Sequence, residues 1–167
     1  MNPSRNILYF ILVFLLQLAI TDYLNLGPWV TVCVLPLLIL LLPLSWSPQR
    51  MMIVAFALGL GLDVLSAGVV GLNAFAAVMA AAPRRTLYHY LVNNDRQNTT
   101  EMLTLRQAGF GKYSKMLLAL TALYLAAFIL LDCVSLRPFG FILGRFLAST
   151  AASTVLGLVL SLPVQNR

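Results

Sequence analysis

Charge is what this chain has least of. Of its 167 residues only 10% are charged and five are acidic, where an ordinary soluble domain would carry about 25% charged residues. With 60% hydrophobic residues and a mean hydropathy of +0.90, a soluble globule is excluded and an integral membrane protein is left. Histidine occurs once, as His89. It has no acidic or cysteine neighbour in sequence and is expected to pack at an interface, not to act as ligand or base. The two cysteines, Cys33 and Cys133, form neither a CxxC pair nor a metal-binding spacing. Each is expected as a packed thiol, and a disulfide between them stays open. There is no HExxH, no GxSxG, no pair of intramembrane acids and no histidine within an apolar run. Nucleophile, base and metal site are therefore all missing, which argues for a protein that is not an enzyme and needs no cofactor.

The net charge of +6 might suit a nucleic-acid partner, but the basic residues stand between apolar runs, at helix ends. There they set topology, and no nucleic-acid partner is expected. The only long polar segment, Arg84 to Lys115, is too small for a separate soluble domain. One polytopic membrane domain over 1–167 is the expectation, all-α, with six transmembrane helices in one bundle at about 7–24, 29–44, 51–67, 70–83, 114–131 and 141–162 and a polar loop at 84–113. The first run has a rival in a signal peptide, yet its apolar core is too long and no small-x-small site precedes Asp22. In the second, Pro36 lies mid-span and is expected to kink the helix, while Pro43 and Pro48 frame the exit beside Trp46. In the loop, Asn98 and Glu101 have capping-box spacing ahead of Gly109 and Gly111, so that segment is either a short amphipathic helix or a plain connection.

The stretch from Met51 to Arg85 holds one acid, Asp63, inside an otherwise apolar run. A carboxylate at the bilayer centre costs roughly 2.5–3.5 kcal/mol on insertion scales, so it calls for a partner or a task. Ala55, Gly59, Asp63 and Ala67 recur at intervals of four, giving a small-residue face along which a second helix packs closely. Ser66, Ala67 and Gly68, then Gly71 and Asn73, turn the run back on itself. The fourth span ends at Pro83, with Arg84 and Arg85 at the headgroups.

The pattern G-x-x-x-D at Gly59 to Asp63, a short turn with Ser66 and Gly68, G-x-N at Gly71 to Asn73, and an apolar helix ending at Pro83 and Arg84 resembles MreD. That family supplies a small polytopic membrane subunit of the bacterial rod-shape and cell-elongation machinery. The likeness in length, span count and placement of the polar segment runs over nearly the whole chain. It implies direct binding to MreC and, within the wider machinery, influence on RodA, its transpeptidase partner and MreB. The family's fold is considered similar to the six-span substrate-binding components of energy-coupling-factor vitamin transporters, so a solute-binding role is the alternative. Gly59, Asp63, Gly71, Asn73 and Arg145 are the expected motif and buried polar group. Arg84, Arg85, Arg106 and Lys112 are the expected cytoplasmic contacts to lipid headgroups or to a partner.

Arg145 lies four to six residues into the sixth span, at the depth of Asp63 in the third. Antiparallel packing would bring the two together and set Gly59 against Ser149 and Ala55 against Ser153, the stripe that continues to Gly157 and Ser161. An Asp63–Arg145 ion pair is one arrangement. The other has Asp63 protonated, or satisfied across the hairpin by Asn73 and Ser66, with Arg145 snorkelling to the outer headgroups. Six spans put both termini on one side of a bacterial cytoplasmic membrane. If that side is the cytoplasm, Arg5, Arg50, Arg84, Arg85, Arg96, Arg106, Lys112, Lys115 and Arg167 lie inside, leaving Arg137 in an outer loop and Arg145 within a span. A reporter fused after Arg167 should accordingly give a cytoplasmic signal; a periplasmic one would overturn the topology.

Overall fold

The computed structural model describes residues 3–23, 30–43, 45–66, 69–91, 109–132 and 139–165. They are mostly helical, with no strand among them. In chain order the helices are α1 (Pro3–Tyr23), α2 (Leu35–Leu41), α3 (Pro48–Leu65), α4 (Leu72–Ala81), α5 (Arg84–Leu91), α6 (Phe110–Asp132) and α7 (Phe139–Gln165). Three are long and apolar enough to cross a membrane: α3, α6 and, within α7, Gly140–Leu162. Leu8–Asp22 of α1 is apolar but shorter. The other apolar runs are divided into pieces.

The second run is not the kinked continuous helix expected over 29–44. Pro36 stands in the first turn of α2, where its missing N–H would have had no intrahelical partner and its fixed φ suits a helix start. The proline therefore begins a helix instead of bending one. Residues 30–34 ahead of it are non-helical. All seven residues of α2 are buried, as an all-round apolar helix requires, and it packs against α1, α3, α4 and α6. A helix of seven residues is thus the hub of the bundle.

Non-helical backbone inside a membrane bundle must find polar partners in the protein. Here they are side chains. The Thr31 N–H donates to Ser149 Oγ at 2.9 Å, and the Cys33 N–H donates to Ser153 Oγ at 2.9 Å. The Val34 N–H donates to Gln17 Oε1 of α1. Spacing makes this possible, because two residues of extended chain advance about 6.6 Å while four residues of helix rise about 6 Å. One stripe of α7 therefore meets alternate N–H groups. The stripe continues at Gly157, where a Cβ would lie 3.1 Å from Leu117 of α6, and at buried Ser161. The small face of α7 thus serves residues 30–34 and α6, in place of the expected match with Gly59 and Ala55 of α3.

Past α4 the chain bends at Ala82–Pro83 and re-enters a helix, so the polar segment expected over 84–113 opens with α5. Tyr88 of α5 is buried in the same cluster as Tyr113 and Met116 of α6. Gly109, with φ +79°, directly precedes α6. The possible amphipathic helix near Asn98 and Glu101 lies outside the described residues, as do Arg106, Cys133 and Arg137.

Removing one hydroxyl should expose the ladder. Ser153→Ala leaves the Cys33 N–H buried without a partner, which costs about 1–3 kcal/mol and should lower the Tm of the purified protein, while Ala151→Ser on the exposed face changes little. Equal Tm values for the two variants would remove the ladder from the account.

Candidate functional site

Asp63 lies in the last turns of α3 and is 1% exposed. Its carboxylate faces the start of α4. Oδ2 accepts the Gly71 N–H at 2.9 Å and the Ala74 N–H at 3.1 Å. Oδ1 accepts the Asn73 N–H at 3.2 Å and Asn73 Nδ2 at 2.8 Å. A carboxylate offers about four lone-pair sites, and all of them are engaged. Helix N-termini carry unsatisfied N–H groups and a partial positive charge. Asp63 meets both, as a cap supplied by the preceding helix.

The rest of the motif makes that cap possible. Gly71 is the N-cap residue of α4 and has φ +98°, a left-handed conformation that glycine adopts without the Cβ penalty. At Gly59, a Cβ would stand 2.5 Å from Ala74 Cα and 2.6 Å from the Asn73 carbonyl oxygen. Only glycine lets the two backbones approach this closely. Asn73 gives its side-chain N–H to Asp63, and its Oδ1 accepts the hydroxyl of Tyr124 from α6. Tyr124 is buried and stacks on Phe128 at 6.3 Å between ring centroids. Gly59, Asp63, Gly71 and Asn73 thus form one joint among α3, α4 and α6.

Arg145 is elsewhere. Its Nη1 donates to Asp132 Oδ2 at 2.6 Å, and its Nη2 donates to Thr31 Oγ1 at 3.0 Å. The Asp63–Arg145 pair is therefore replaced by Asp63–Asn73 on one side and Arg145–Asp132 on the other. Ser66, the other expected partner of Asp63, donates to Leu62 O within its own helix. Equal depth is necessary for contact but says nothing about which helices are neighbours. α3 lies against α4, whereas α7 lies against α6.

Arg84 corrects a second expectation. In place of reaching the headgroups it is fully buried. Nη2 donates to Leu40 O at 2.8 Å and to Leu42 O at 2.5 Å, and Nη1 points at Met51 Sδ at 2.6 Å. Those carbonyls belong to the end of α2, which lacks intrahelical donors and carries the negative end of the helix dipole. The cation caps the C-terminus of one short helix as Asp63 caps the N-terminus of another. Arg85 and Lys112 are exposed.

Gln17 and Tyr124 take part in these networks and were not singled out in the sequence. Gln17 had a signal, because it is the only amide in the Leu/Ile/Phe-rich run of α1 and is 2% exposed; a polar side chain at that depth needs a partner just as Asp63 does. Tyr124 had none, since an isolated tyrosine in an apolar run packs in many ways. A cleft of about 180 Å³ between α6 and α7 is lined by Ala126, Ile129, Leu130, Ile142, Leu143 and Phe146. It is apolar throughout. Comparisons with protein-family models, curated proteins and solved structures give no match.

Coupling energies test the joint. In double-mutant cycles, Asp63→Asn and Asn73→Ala should couple by about 0.5–3 kcal/mol, whereas Asp63→Asn and Arg145→Gln should add within about 0.5 kcal/mol. The charge swap Asp63→Arg with Arg145→Asp should recover no stability. Recovery in that swap would restore the ion pair that the geometry replaces.

Proposed function

We propose that this chain is an MreD-type subunit of the bacterial cell-elongation machinery, a non-enzymatic membrane protein that binds MreC and helps organise peptidoglycan synthesis with RodA, its transpeptidase partner and MreB. The observation that carries this reading is the joint itself. Each residue of the G-x-x-x-D and G-x-N pattern has a separate structural task there, and the acid has no lone pair left for proton transfer. Catalysis by Asp63 would require breaking the cap on α4.

Six crossings in one bundle are part of the proposal. The non-helical residues 30–34 with α2, and α4 with α5 across the Ala82–Pro83 bend, each serve as one crossing made of two pieces. Charge supports both termini being cytoplasmic. Arg50, Arg84, Arg85, Lys112 and Lys115 lie at the end of the bundle where α3 and α6 begin, while Asp22, Asp63 and Asp132 lie toward the other end. That distribution matches the positive-inside rule. The vitamin-transporter alternative needs Asp63, Asn73, Arg145 and Asp132 around one pocket. They are divided between two hydrogen-bonded groups, and the α6–α7 cleft is apolar.

Depletion in the host should round the cells and disperse MreC, and tagged protein should copurify with co-expressed MreC. Intact rods with unchanged MreC recruitment would sink the proposal.

A further inference from the structure

Three helical segments, α3, the α4–α5 run and α6, repeat one arrangement at the basic end of the bundle. On α3, exposed Arg50 is followed three residues later by Ile53, 68% exposed. Along the end of α4 and the start of α5, exposed Arg85 follows exposed Ala82 and Met79, the latter 48% exposed. On α6, exposed Lys115 is followed by Leu118, 51% exposed. Within α3 and α6, residues three apart share a helix face, and across the Ala82–Pro83 bend Met79, Ala82 and Arg85 are each exposed. Each cation therefore stands one turn beyond an outward-facing apolar side chain, at the edge of the apolar belt.

The three helices meet at this end. Arg84, next to Arg85, touches Met51, next to Arg50, and α5 packs against α6. Exposed Lys112 and the aromatic rings of Tyr90 and Phe110 lie at the same end, both rings strongly exposed, as interfacial anchors would be. The described acids do not balance this charge. Asp22, Asp63 and Asp132 all lie toward the opposite end, where Asp63 is committed to the α4 cap and Asp132 to Arg145. Arg84 withdraws into the core, while Arg50, Arg85, Lys112 and Lys115 are exposed at this end, and Arg50, Arg85 and Lys115 are the three that stand beside an outward apolar stripe.

We propose that Arg50, Arg85 and Lys115 bind anionic phospholipid at the cytoplasmic leaflet, with the lipid phosphate at the cations and its acyl chains along Ile53, Met79 and Leu118. The continuity of each cation with an outward apolar stripe favours a lipid over an acidic protein segment, which would match the charge but not the stripe. Cations near an anionic leaflet contribute about fivefold each to partition, so the three act together as a selective annulus. This inference does not need the cell-elongation role, but it rests on the proposed orientation, which puts this end of the bundle in the cytoplasm.

The test is lipid analysis of the full chain, extracted in mild detergent from membranes containing both phosphatidylglycerol and phosphatidylethanolamine. Wild-type protein should retain phosphatidylglycerol enriched several-fold over the bulk membrane, and Arg50→Gln/Arg85→Gln/Lys115→Gln should fall to the bulk ratio. Arg50→Lys/Arg85→Lys, which leaves three lysines at these positions, should keep the enrichment. If the glutamine variant fails to fold, washing wild-type protein at about 0.5 M salt in place of about 0.05 M should strip the anionic lipid, because exposed charges are screened. Bulk composition in the wild type, salt-resistant enrichment, or an acidic protein retained in place of the lipid would each overturn the proposal.

Discussion

Backbone polar groups in a membrane interior have no water to turn to, so each must be satisfied within the protein. A bundle of uninterrupted helices meets that demand locally. This chain breaks one apolar run before α2 and folds another back on itself before α4, and so creates helix ends that need partners from elsewhere. The buried polar side chains are where those ends are. Asp63 and Asn73 serve the start of α4, Arg84 serves the end of α2, and Ser149, Ser153 and Gln17 serve the backbone ahead of α2.

Signs follow from the same constraint. The acid is at a helix N-terminus and the base at a helix C-terminus, each facing the dipole end of opposite sign. Neither needs a salt bridge with the other. Burying a charge among neutral dipoles is tolerable where several hydrogen bonds converge on it, as they do on both groups. In α7, small hydroxyl side chains do two jobs, bringing backbones close and accepting their N–H groups.

Much of the joint could be read in advance. Gly59, Asp63, Gly71 and Asn73 stand out because glycine and an acid are conspicuous in an apolar run, and their spacing places them across a hairpin. The partners of the charges could not be read. Depth along a helix is countable at about 1.5 Å per residue, which made Asp63 and Arg145 look matched, but the rotation and neighbour order of helices leave no such count. Pro36 misled for a related reason, because the same residue type either kinks a helix or begins one. The choice depends on whether the preceding backbone finds donors and acceptors, and Ser149 and Ser153 are more than a hundred residues away.

The sequence by itself determined a helical membrane-type chain, the position of its hairpin and the segregation of basic residues toward one end, since these depend on composition and local spacing. Tertiary structure alone decided that α2 is a buried seven-residue hub, that Arg84 points inward and that Asp63 is a helix cap. Those outcomes depend on which helix ends lie side by side, a property set by packing among segments far apart in the chain.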